Sequence, residues 1–95
     1  MVGTILEKAQ GAEIFLREKP IELLLCLMNK TKENYPSMLA KESKCTYSHT
    51  VHLLQKMEVI GLVNFEKKGR LKLVSLTNKG EDAADLLNSL TRTFM

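Results

Sequence analysis

Residues 45–77 read CTYSHTVHLLQKMEVIGLVNFEKKGRLKLVSLT, and the order of signals in this stretch decides the fold. Thr46 is a residue type that opens helices, because its hydroxyl can accept from an amide of the first turn that has no partner further back. Thr50, Leu53, Leu54 and Met57 then recur at helical spacing and give the helix an inward stripe, and Gly61 can take the left-handed conformation that ends it. Two short runs rich in Val, Leu and Phe follow, LVNFE and LKLVSL. Between them stand Lys67, Lys68, Gly69 and Arg70, where Gly69 supplies the positive φ of a tight hairpin. The stretch therefore predicts a helix over 46–60 joined directly to a β-hairpin with a basic tip. Its register stays open, since both strands carry apolar residues on both parities.

Upstream, KPIELLLCLMNK places Pro20 at a residue suited to the first helical position, and Ile21, Leu24, Leu25 and Met28 follow with helical spacing. Leu23, Cys26 and Leu27 make this segment apolar almost all round, so it belongs in the middle of the fold. TKENY (31–35) is polar and reads as a loop with at most one or two residues of edge strand. PSMLAKES then predicts a short helix with Pro36 in its first turn and Met38 and Leu39 turned inward. Downstream, TNKGEDAADLLNSLTRTF predicts a last helix starting near Thr77 or Asn78, with Glu81, Asp82 and Asp85 in the half that favours acidic residues. Ala83, Leu87, Leu90 and Phe94 recur on it at 4-3-4 spacing, as a face that packs on the body or on a second copy. Nearer the N-terminus, residues 4–10 suit a short helix ending at Gly11, and residues 13–18 suit a helix or a strand.

A chain of 95 residues buries one modest core, which makes one domain over 1–95. It divides into an N-terminal extension (1–18), a core (19–76) and a C-terminal helix (77–95). The fold class is α+β and mostly α: a three-helix core, a β-hairpin wing and an additional C-terminal helix. Apolar residues make up 44% and charged residues 26% of the chain, which suits a folded protein rather than a disordered one. No apolar run approaches the roughly 18 residues that cross a bilayer, and the N-terminus lacks the sections of a signal peptide. A cytoplasmic protein with no membrane partner is expected. Cys26 and Cys45 are too far apart for a CxxC redox motif and read as reduced thiols.

The net charge of +3 is unevenly placed. Residues 1–40 hold five basic and five acidic residues, and residues 73–95 hold two basic and three acidic. Residues 41–72 hold seven basic against three acidic, a net of +4. A positive excess confined to one part of a small domain is the footprint expected for a polyanionic partner, although a solvated face gives the same count.

Two helices joined by a tight turn and followed at once by a hairpin with a charged tip is the arrangement of a winged helix-turn-helix. Leu39 to Asp82, LAKESKCTYSHTVHLLQKMEVIGLVNFEKKGRLKLVSLTNKGED, resembles the core of prokaryotic winged-helix transcriptional regulators of the MarR-like and archaeal kinds. A phrase such as LAxxLxVSxSTVxxxLxxLExxGLVxxxxxGRxxxxxLTxKG recurs in them. The chain departs from that phrase at the corner between the two helices. Ser43 stands where Leu is usual, Lys44 where Gly is frequent and Cys45 where Val is frequent. Lys44 is thereby expected to hold a left-handed backbone at some cost.

The resemblance implies double-stranded DNA as the partner and the helix from Thr46 to Ile60 as the recognition helix, entered N-terminal half first into the major groove. Helical phase agrees. With Thr50, Leu53, Leu54 and Met57 inward, Ser48, His49 and His52 face outward with Tyr47 and Lys56 at the edge, all groups able to reach base edges or phosphates. Thr46 and Lys44 would lie near the backbone at the groove rim, and the wing residues Lys67, Lys68 and Arg70 would meet flanking phosphate or a minor groove. A homodimer on a pseudo-palindromic site is expected, with Leu87, Leu90 and Phe94 at its interface, because one small helix-turn-helix reads few base pairs alone.

Other functions fit less well. Cys45, His49 and His52 have the spacing C-x3-H-x2-H, and Cys26 could add a fourth ligand to make a sensing metal site, but no second clustered pair accompanies them. Nucleophilic catalysis by Cys45 or Ser48 lacks an orienting third group and an oxyanion loop, so no enzyme is expected. No cofactor is implied, and no small-molecule effector is identified by the sequence. A protein-interaction winged helix would carry apolar residues at its wing tip, where this chain carries three positive charges. An architectural DNA binder would share the same basic surface. Single-stranded RNA binding would need an exposed aromatic platform that this sequence does not offer.

Overall fold

The computed structural model describes residues 18–29 and 32–94. The segments read at 4–10 and 13–17 lie outside the described residues. The described chain has four helices and one two-stranded antiparallel sheet. In chain order these are α1 (Glu18–Leu27), α2 (Pro36–Glu42), α3 (Tyr47–Val59), β1 (Val63–Lys68), β2 (Leu71–Leu76) and α4 (Asn78–Thr93). This is the mostly helical winged-helix arrangement read from residues 39–82.

Leu23, Leu24 and Leu27 of α1, Leu39 of α2, and Leu53, Leu54 and Met57 of α3 form one core with Leu62, Val63, Val74 and Ala84. Ile21, Leu25, Cys26 and Met28 are half-buried around it, so α1 is covered on most sides, as its nearly unbroken apolar run requires. Within the described residues α1 already includes Glu18 and Lys19 ahead of Pro20, so Pro20 is not the first helical residue, which corrects the expected position. Met38 is also a correction: at 36% exposure it points outward, and Leu39 and Ala40 carry the burial of α2. Among its described residues, 32–35, the loop ahead of α2 forms no strand. Its backbone meets that of the hairpin through a hydrogen bond from the Val74 amide to the Asn34 carbonyl at 2.8 Å.

Helices α2 and α3 end in the same way. In each, two amides past the end fold back on the last turn: Cys45 N to Ala40 O at 2.9 Å and Lys44 N to Lys41 O at 3.2 Å after α2, and Leu62 N to Met57 O at 2.9 Å and Gly61 N to Glu58 O at 3.0 Å after α3. This paired closure needs a left-handed residue. Gly61 supplies it at φ 83° after α3, and Lys44 supplies it at φ 54° after α2. Ser43, where an apolar residue is usual, is fully buried and donates its hydroxyl to the Leu39 carbonyl at 2.8 Å. The corner between α2 and α3 is thus closed by hydrogen bonds, where a leucine would have closed it by packing.

The chain then turns into α4 at a crowded point. Thr77 is the N-cap of α4, accepting from Gly80 N at 3.0 Å and donating to the Gly61 carbonyl. Lys79 reaches back to the Ile60 carbonyl at 2.8 Å. Two residues of the α4 start therefore satisfy carbonyls at the end of α3. A Cβ on Gly80 would stand 2.0 Å from the Leu62 carbonyl oxygen, so only glycine allows this approach.

Candidate nucleic-acid interface

Helix α3 presents its N-terminal half to the outside. Thr46 caps it, accepting from His49 N at 3.2 Å. Thr50, Leu53, Leu54 and Met57 are buried, and the phase of that stripe leaves Tyr47, Ser48, His49, His52 and Lys56 exposed. Thr46 and Lys44 are exposed at the corner before the helix. All seven groups named from the sequence for this region therefore lie at the surface, on one helix and the turn that precedes it. Cys45 does not join the histidines. It sits before the cap, half-buried, and among the described residues no three of its residue class come together as a metal site.

The wing is a two-residue hairpin closed by Gly69 and Arg70, with positive φ at Gly69 alone, the pattern of a turn that takes glycine first. Its register settles what the sequence left open. Val63 faces Leu76, Phe65 faces Val74 and Lys67 faces Lys72, so these six side chains share one side of the hairpin. Val63 and Val74 at its base are buried, Phe65 and Leu76 are half-buried, and the lysines are exposed. Two like charges directly opposite each other repel, and an anion held between them would relieve that repulsion. Lys72 had no signal in the sequence beyond its charge, because only the register makes it the neighbour of Lys67.

Lys68 lies on the other side of the hairpin. Its ammonium donates to the carboxylate of Glu33, and the Tyr35 hydroxyl donates to the second oxygen of the same carboxylate. The hydrogen bonds from Lys68 and Tyr35 hold the Glu33 carboxyl below the usual carboxylate range. The same bond with Glu33 pushes the Lys68 ammonium up, and Glu33 likewise raises the Tyr35 phenol. Arg70 and Lys72 line an open groove of about 450 Å³ between the wing and α3, together with Tyr35, Tyr47, Gln55 and Phe65. Of α3 the groove takes Tyr47, Val51, Gln55 and the acidic Glu58, so one edge of that helix and the wing flank a single concave surface, with Ser48, His49 and His52 outside it. Its donors can reach oxygen acceptors on a polyanion from two directions.

Leu87, named from the sequence as an interface residue, is instead half-buried against the core of its own chain. Leu90 and Phe94 are exposed, and Leu86, at 72% exposure, joins them. The exposed apolar stripe of α4 is therefore Leu86, Leu90 and Phe94, at 4-4 spacing. Among the described residues, no helix is long and apolar enough to cross a membrane.

No family model matches the chain. It is 25% identical over 81 residues to an uncharacterized protein of Archaeoglobus fulgidus, covering 82% of this chain and 85% of the relative. A crystal structure of a MarR-family transcriptional regulator from Silicibacter pomeroyi superposes with a TM-score of 0.74 at 26% identity, covering 97% of this chain and 70% of the regulator. The transcriptional repressor CouR, solved bound to a 23-mer DNA duplex, superposes with a TM-score of 0.74 at 21% identity, covering 98% of this chain and 74% of the repressor.

Proposed function

From the winged-helix fold that this chain shares with MarR-family transcriptional regulators, we propose that it is a transcriptional regulator that binds double-stranded DNA in the cytoplasm, sequence-specifically and as a homodimer. The observation that carries this reading is the pairing of two surfaces at a fixed separation. The exposed start of α3 offers the Ser48 hydroxyl and the His49 and His52 imidazoles, which suit base edges in a major groove. The wing offers Lys67, Arg70 and Lys72, which suit the flanking phosphates. Lys44, Thr46, Tyr47 and Lys56 border the reading surface and suit backbone contacts. CouR, which shares this fold, was solved bound to a DNA duplex, and that supports DNA as the partner here.

The homodimer rests on the exposed stripe of Leu86, Leu90 and Phe94 and on geometry. A second copy doubles the base contacts and sets two half-sites one helical turn apart. Selection from a random duplex pool tests the reading directly: enrichment of a pseudo-palindrome is expected. Even retention of all sequences would point instead to an architectural DNA binder. Within the enriched site, Ser48→Ala or His49→Ala should weaken binding by about 1–3 kcal/mol and relax base preference there. Equal weakening on every sequence would count against base reading by α3.

A further inference from the structure

We propose that Glu33 is a built-in counter-ion of the wing: it occupies Lys68 in place of a phosphate and so weakens the grip of this chain on DNA of any sequence. The inference rests on the DNA-binding reading above. Glu33 lies in the loop before α2, and that loop is anchored at the next residue, Asn34, by two hydrogen bonds. The Asn34 carbonyl accepts from Val74 N of β2 at 2.8 Å, and the buried Asn34 side chain donates to the Asn29 carbonyl at 3.2 Å. The carboxylate is therefore delivered to the hairpin from a residue whose neighbour in the chain is bonded to β2. One of its oxygens takes the Lys68 ammonium and the other takes the Tyr35 hydroxyl. Tyr35 is itself fixed as the residue that opens α2.

The other basic groups of the wing are differently placed. Lys67 and Lys72 point to the opposite side of the hairpin, and among the described residues neither they nor Arg70 is paired with a carboxylate. The wing thus carries one cation already held by an acidic group and three without one. The Lys68–Glu33 pair is open to solvent on both sides, at 62% and 48% side-chain exposure, so a phosphate can reach Lys68 only in competition with Glu33. Glu66, two residues earlier on the same side of β1, adds to the negative field there. Carboxylate and phosphate present the same chemistry to an ammonium, and that likeness makes Glu33 a competitor rather than a bystander.

The test measures binding of the full chain to a labelled duplex of random sequence between 50 and 200 mM salt, for the unaltered protein and for Glu33→Gln, Glu33→Asp, Lys68→Gln, Lys67→Gln and the double variant Glu33→Gln/Lys68→Gln. Glu33→Gln should bind more tightly at low salt. Its slope of log affinity against log salt should steepen by about 0.9, the value of one phosphate contact, equivalent to an extra loss of roughly 3.5-fold across that range. Glu33→Asp should stay close to the unaltered protein, and Lys68→Gln should keep its salt slope, because that ammonium sits on Glu33 and not on a phosphate. In the double variant the gain from Glu33→Gln should vanish. Thermal stability should hardly move, because an exposed ion pair adds little to folding. An unchanged slope in Glu33→Gln, or the same gain with Lys68 already removed, would overturn the counter-ion role. Lys67→Gln separates this from the underlying reading: it should flatten the slope by a similar amount, and if it leaves the slope unchanged the wing is not on the DNA at all.

Discussion

Lys44 shows how one residue can serve stability and function in opposition. The turn after α2 needs a left-handed residue, as the turn after α3 does, and glycine fills that place only in the second. A side chain in this conformation costs about 1–2 kcal/mol, whereas glycine forfeits about 0.5–1 kcal/mol through the freedom of the unfolded chain. Lys44→Gly should therefore stabilise the fold by about 0.5–1 kcal/mol, read as a higher urea midpoint with an unchanged slope. On the proposed interface the same substitution removes a cation from the groove rim. Binding to all duplexes should weaken together, with a shallower salt dependence. A gain in stability without any loss in binding would place Lys44 off the DNA. The left-handed turn was legible in the sequence, because Lys44 stands where glycine is frequent. The closure of the same corner by Ser43 was not, since a serine gives no sign of whether its hydroxyl will find a buried carbonyl.

At the scale of elements, the point that fixes α3 relative to the wing is the start of α4. Thr77 and Lys79 bond the carbonyls of Gly61 and Ile60, and Gly80 lets the helix approach the Leu62 backbone. Gly80→Ala must displace one backbone against another, and overpacking of this kind costs about 1–3 kcal/mol or more. The variant should lose stability by that amount in urea unfolding. Affinity for the selected site should fall with it, because α3 and the hairpin no longer keep their separation. Gly69→Ala is the informative comparison. Its Cβ would meet open space, so only the strain of its positive φ applies, about 1–2 kcal/mol, and the end of α3 is untouched. Equal behaviour of the two variants would contradict the view that contact at Leu62 is what makes Gly80 necessary. The helices and strands themselves were readable from spacing and caps: Thr46, Gly61 and Gly69 each stand where the sequence put them. The hairpin register was not readable, and with it went the pairing of Lys67 with Lys72 and the separation of Lys68 from both.

For the whole molecule, three of the seven exposed large apolar side chains among the described residues, Leu86, Leu90 and Phe94, lie together on the outer side of α4. Leu90 and Phe94 had been marked by spacing, but the spacing took Leu87 as their companion where the fold takes Leu86. The difference arises because α4 packs its first turns on the body through Gly80 and Ala84 and then continues past the core. Beyond that point a 3.6-residue repeat no longer tells an inward side from an outward one. If this stripe joins two copies, the unaltered protein should sediment as a dimer at micromolar concentration. Leu86→Glu combined with Leu90→Glu should then give a monomer with unchanged helical content and much weaker binding to a palindromic site. A protein that sediments as a monomer both free and on DNA would remove the dimer from the proposal.

What the sequence determined by itself was the order and kind of the elements, from apolar periodicity, caps and turn residues that act over a few neighbours. It also determined the outward face of α3, because one inward stripe fixes the whole helix. Only the tertiary structure decided which charges meet. Glu33 and Lys68 are far apart along the chain and come together because the loop before α2 is bonded to β2, and Lys72 joins Lys67 through a register that period-two patterning left open. Local spacing carries information about faces, whereas ion pairs and cross-strand neighbours depend on how whole elements are brought together, which no short stretch encodes.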